Sequence, residues 1–131
     1  MVRKLVFVLP AILILGVTAY AHHSISATYD QTKEIKVEGR LVQFFYRNPH
    51  AFVHIEGPDA NGKMQQWSIE WGGATQLAGQ GVTRDSLKFG DEVVITGNPG
   101  RNATDHRMKM NTLYRKTDGF GWGTRPGQVV E

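Results

Sequence analysis

The residues best placed to do chemistry lie on two short stretches, His50-Ala51-Phe52-Val53-His54-Ile55-Glu56 and Gln66-Trp67-Ser68-Ile69-Glu70-Trp71. Both alternate with period two, as a half-buried strand requires. Ala51, Val53 and Ile55 share one face, while His50, Phe52, His54 and Glu56 share the other. Trp67, Ile69 and Trp71 alternate with Gln66, Ser68 and Glu70 in the same way. Gly57-Pro58-Asp59-Ala60-Asn61-Gly62 is dense turn chemistry, so the stretches read as a hairpin. Only a register whose paired numbers sum to an even value keeps the two polar faces together. The register expected here sets His50 opposite Glu70 and His54 opposite Gln66.

Three uses follow for that polar face. His50 against Glu70 is an orienter–base pair with Ser68 nearby, the outline of a hydrolase. No nucleophile elbow or oxyanion-hole glycine motif accompanies Ser68, and cross-strand polar pairs also serve pairing alone. The second use is ligand binding, with Phe52 flanked by His50, His54, Ser68 and Glu70, and with Tyr46 and Arg47 at the edge. The third is metal binding. A chain that starts at His22 offers an α-amine and an imidazole on one residue. His23 and His50 would add further nitrogens, a donor set suited to Cu(II). His50 and His54 cannot share one ion on one strand, because four residues span roughly 13 Å. His106, Met108 and Met110 recur on one face of a later strand as a soft set for Cu(I), although alternating methionines also fill cores.

The elements that must position these groups can be read in order. A first strand runs from about Lys33 to Tyr46. Its phase changes after Gly39, which predicts a bulge or sharp bend and lets one long strand serve two sheets. Pro49 then interrupts pairing at an Asn48-Pro49-His50 corner. Strand two spans His50 to Glu56 and strand three Met64 to Trp71, with Trp67 and Trp71 assigned to the core. Gly72-Gly73 precedes a short helix from Ala74 to Ala78, and Thr83-Arg84-Asp85-Ser86-Leu87 reads as a capped turn. Strand four covers Glu92 to Thr96 and stops at Gly97-Asn98-Pro99-Gly100, and strand five covers Arg107 to Arg115. Three strands, a short helix and two more strands match a small five-stranded OB-like β-barrel, an all-β fold with its helix between strands three and four.

The N-terminal block carries basic Arg3-Lys4, an apolar run from Leu5 to Val17 and the small-residue end Ala19-Tyr20-Ala21. That is the layout of a signal peptide cut after Ala21, and it predicts a periplasmic or secreted protein with no membrane span once cut. The expected organisation is a leader over 1–21, a barrel domain over 22–116 and a glycine-rich tail over 117–131, loosely docked. The chain has 15 basic and 12 acidic residues; without Arg3 and Lys4 the balance is 13 to 12. That near-neutrality argues against a nucleic-acid partner. The absence of cysteine leaves the core to hold the fold without disulfides.

Ala21-His22-His23-Ser24, Asn48-Pro49-His50, Trp67-x-x-Glu70 and Ser86-Leu87-x-x-Gly90-Asp91-x-Val93 stand in this order along the chain. As a set they resemble a family of small exported bacterial proteins known only as a domain of unknown function. The resemblance implies export and a small β-barrel, and it implies no activity. The expectation is a non-enzymatic binding protein that uses the face of strands two and three. Its ligand would be a small molecule, a peptide or a periplasmic protein. Copper binding is the first alternative and a hydrolase the second.

Overall fold

The computed structural model describes residues 25–124. The expected leader, the candidate ligands His22 and His23, and the end of the tail lie outside them. Strand β1 is Ile35–Phe45, β2 Phe52–Pro58 and β3 Met64–Glu70. A short helix, α1, covers Ala74–Gly79. Then come β4 (Glu92–Pro99), a 3-10 turn at Ala103–Asp105, β5 (Arg107–Arg115) and the two-residue β6 (Gly121–Trp122).

The strands run in the order β3-β2-β1-β4-β5-β6, and a parallel pairing of β3 with β5 closes the first five into a barrel. One long strand does serve both halves: Ile35 to Arg40 of β1 pair with β4, and Arg40 to Phe45 pair with β2. The bulge lies at Val42, between Leu41 and Gln43, and not at Gly39. Gly39 has a different duty, since a Cβ there would sit 2.3 Å from the Glu56 carbonyl oxygen. The missing side chain lets β2 come close where β1 turns from one partner to the other.

The β2–β3 register keeps the even sum, but it differs from the expected one by one pair. Phe52 faces Glu70, and His54 faces Ser68. The turn sets this. Asp59 accepts backbone hydrogen bonds from Asn61 (2.9 Å) and Lys63 (3.0 Å), and Gly62 takes a φ of 79°. The hairpin therefore closes with Pro58 opposite Met64. His50 lies before the first residue of β2, in the corner.

Strand β4 does not stop at Gly97. It continues to Pro99 after a register shift between Thr96 and Gly97. Gly97 allows this, because a Cβ there would lie 2.2 Å from the Lys109 carbonyl oxygen. The expectation of a loosely docked tail is likewise corrected for 117–124. Trp122 pairs with Leu113, stacks edge-on against Trp71 with ring centroids 5.2 Å apart, and donates from Nε1 to Gln80 at 2.9 Å. Two aromatics, Phe120 and Trp122, thus dock the described part of the tail on the core.

The core holds the inward parity of every barrel strand, among them Leu41, Val53, Ile55, Ile69, Ile95, Met108 and Leu113. Burial of each such side chain contributes roughly 1.5–3 kcal/mol. Trp67 and Trp71 belong to this core, as their parity predicts. Leu77 is the residue through which α1 plugs the barrel.

Candidate functional site

The Asn48-Pro49-His50 corner is first of all a joint between β2 and α1. Asn48 caps the helix from a distance: its Oδ1 accepts from the Thr75 backbone N–H (3.1 Å) and its Nδ2 donates to Thr75 Oγ1 (3.0 Å). Gly73, just before the helix, faces the Pro49 carbonyl so closely that a Cβ would be 2.4 Å away. Tyr46, expected at the edge of the binding face, is turned to the same task. Its hydroxyl lies within hydrogen-bond distance of the Ala74 and Val82 carbonyls (3.0 and 2.9 Å), and its ring packs edge-on against Phe44. Tyr46 is therefore withdrawn from the binding face, because two backbone carbonyls at the helix claim its hydroxyl.

The outer face of β2 and β3 carries the rest. The exposed Arg47 guanidinium lies over two rings, 5.5 Å from the centroid of Phe45 and 5.4 Å from that of Phe52. His54 meets Phe45 edge-on at 5.1 Å and lies 3.3 Å from the Ser68 hydroxyl through Nε2. Burial, with the Arg47 cation second, holds the His54 imidazole below its usual range. At neutral pH this face is therefore aromatic, with Arg47 as its cation.

Beside it lies a second cluster. Glu70 is nearly buried, and its two oxygens are taken separately: Tyr29 donates its hydroxyl to one at 2.5 Å, and His50 Nδ1 lies 2.5 Å from the other. Burial, then the hydrogen bond and charge of Glu70, push the Tyr29 hydroxyl far above its ordinary value, so it stays a donor. His50 and Glu70 therefore meet as expected, although not as a register pair. Ser68 does not join them, because the shifted register puts it against His54. The hydrolase constellation of His50, Glu70 and Ser68 is not assembled.

Metal candidates divide similarly. Among the described residues no group of three or more His, Asp or Glu side chains could hold an ion. Met108 and Met110 are core residues at 0% and 5% exposure, while His106 turns toward Trp67 and Asp59. The soft-ligand set thus falls apart, because its thioethers are spent on packing.

A region that no sequence motif marks lies at the mouth of the barrel. There the segment before β1, the β2–β3 turn and the β4–β5 loop enclose a cleft of about 530 Å³. Trp67, Ile35, Pro99, Arg101, His106 and Arg107 line it. His106 is in the left-handed region, with φ 45°, and stands edge-on to Trp67 at 5.3 Å. The one available signal was general: β4–β5 loops often bind in OB-folds. Nothing in the local pattern joined residues so distant in sequence.

Comparison with curated proteins gives no match. Among solved structures, the mitochondrial single-stranded DNA binding protein Rim1 of S. cerevisiae is similar to this chain. It shares 13% identity, covers 66% of this chain and 96% of its own, and superposes with a TM-score of 0.48. The profile of a family of unknown function, DUF6152, matches residues 11–109. The motifs found in the sequence have definite work in the barrel. Asn48 caps α1, and Glu70 ties down Tyr29 and His50. Asp91 accepts from the Lys88 backbone at 2.9 Å and from Arg115 at 2.7 Å. With that match over most of its length, the chain belongs to the family of unknown function DUF6152.

Proposed function

We propose that this is an exported binding protein without catalytic activity of its own. Its ligand is a small molecule, a peptide or a periplasmic protein that docks on the outer face of β2 and β3. The observation that carries this reading is the Arg47 guanidinium laid across Phe45 and Phe52, with His54 and Ser68 beside it. A planar cation held on two rings is already ordered, so a carboxylate or an aromatic group can meet it at little cost in side-chain freedom. Export rests on the leader-like block, Arg3-Lys4, Leu5 to Val17 and Ala19-Tyr20-Ala21. Among the described residues no helix is long and apolar enough to cross a membrane. The near-neutral balance of residues 22–131 argues against a polyanionic partner.

The test is photo-crosslinking in cells, with a photo-reactive amino acid in place of Phe52 or of the remote, exposed Phe89. Adducts formed from position 52 and absent from position 89 are expected. Labelling at neither position, or equally at both, contradicts the reading.

A second reading is copper binding by His22, His23 and His50, and one observation favours it. Glu70 takes Nδ1 of His50 and leaves Nε2 without a partner among the described residues. A carboxylate that orients a histidine in this way is the usual support of a metal ligand. The chain also reaches Glu70 at Tyr29, seven residues after His22. Copper titration of the mature chain, with and without one extra residue before His22, separates this reading from the first. Retention that vanishes with the added residue supports it, and no retention by either form removes it.

A further inference from the structure

We infer that the cleft at the barrel mouth is a second ligand site, distinct from the β2–β3 face. The chemistry of its lining points to a flat, apolar molecule that carries one anionic group. At about 530 Å³ the cleft falls within the size range of small-molecule sites. The larger part of its lining surface is apolar. The indole of Trp67 is buried and spends its N–H on the Gly57 carbonyl at 3.2 Å, so it has only ring surface to offer. Ile35 and Pro99 extend that surface, and His106 stands edge-on above it.

The charged groups around the rim are not equivalent. Both carboxylates are already engaged, and Asp59 also faces His106 Nε2 at 3.9 Å. Asp59 accepts from two backbone N–H groups and from Gln65 Nε2 at 3.2 Å. Asp30 accepts from the Thr32 backbone (3.1 Å) and hydroxyl (2.6 Å) and pairs with Lys33. These hydrogen bonds hold both carboxyls below their usual range, so both are ionised at neutral pH. Lys33 is paired with Asp30, whereas the two guanidinium groups face no carboxylate among the described residues. Arg101 uses Nε on the Ser26 carbonyl at 2.7 Å, and its two terminal nitrogens have no partner among the described residues. Arg107 lies over the ring of Tyr29, 5.9 Å from its centroid. An apolar body on Trp67 with a carboxylate or sulfonate toward Arg101 uses both features at once.

The probe is anilinonaphthalene sulfonate, an aromatic anion that brightens in apolar sites, titrated into the full mature chain. Its uncharged relative, phenylnaphthylamine, is the control for charge. One saturable site is expected for the anion, bound at least tenfold more tightly than the neutral probe. Arg101→Glu should weaken it about tenfold or more. Ala103→Trp, a large ring on an exposed rim position, should block it while leaving the circular dichroism spectrum unchanged. Phe52→Ala should leave the affinity unchanged, so failure here is separable from failure of the β2–β3 face. No saturable binding overturns the inference, as does binding that survives both cleft variants or equal affinity for the neutral probe.

Discussion

The outer face of β2 and β3 and the cleft at the barrel mouth use the same kinds of side chain, aromatics with arginine and histidine, but assemble them differently. On the face, Phe52 and His54 come from one strand and Phe45 and Ser68 from its two neighbours, while Arg47 follows two residues after the end of β1. At the mouth, Ile35 opens β1, Trp67 comes from β3, and Arg101 and His106 come from the β4–β5 loop, three segments far apart in sequence. The face is preorganised by a hydrogen-bonded ladder. The mouth is preorganised by Asx-type turns and by the tether of Arg101 to the segment before β1. A site on strands has fixed register and an open front, which suits a partner of any size. A site between loops has walls, which suits a small ligand.

Glu70 is where the two regions touch, and the largest effect is expected there. Its carboxylate belongs to β3, whereas its partner Tyr29 belongs to the segment that continues into the cleft at Asp30. Glu70→Ala leaves a buried tyrosine hydroxyl without an acceptor and should cost about 3 kcal/mol in chemical denaturation. It should weaken the anionic probe at the mouth as well, and loss of stability with no effect on the probe would show the regions to be independent. Phe52→Ala comes next. It should reduce ligand occupancy on the face about tenfold, read by native mass spectrometry, and lower stability by about 1 kcal/mol or less, because the ring is only half-buried.

A smaller effect concerns pH. Burial lowers the folded-state pKa of His54, so below the ordinary histidine value the unfolded chain binds the proton more readily. Stability from this residue is present at neutral pH and declines as pH falls through the unfolded pKa. Thermal melts of the native chain and of His54→Gln should therefore converge on acidification from neutral pH. Ser68→Ala closes the series, with a stability change within about 0.5 kcal/mol. A large loss of a measured hydrolytic activity in that variant would revive the enzyme reading.

Much of the face was legible because period two is a local signal. Trp67, Ile69 and Trp71 read as core, His54 and Ser68 as surface, and the even-sum rule kept them on one side. The single-pair difference in register was not legible, since it depends on how Asp59 folds the turn onto Asn61 and Lys63. Tyr46 and the tail misled for a related reason. The carbonyls that claim Tyr46 lie 28 and 36 residues away, and Trp122 finds Trp71 only once the barrel exists. Gly97 read as a stop because a glycine signals either a break or a close approach, and only the neighbouring Lys109 carbonyl decides which. The mouth was invisible for the most general reason, that three distant segments with no shared period define it.

The most direct measurement is native mass spectrometry of the protein produced from its full sequence, comparing the native sequence with Phe52→Ala and Ala103→Trp. A chain that begins at His22 and carries a bound mass or partner, lost in Phe52→Ala and kept in Ala103→Trp, is the expected result. A chain that starts elsewhere, or a bound mass indifferent to Phe52→Ala, would contradict it.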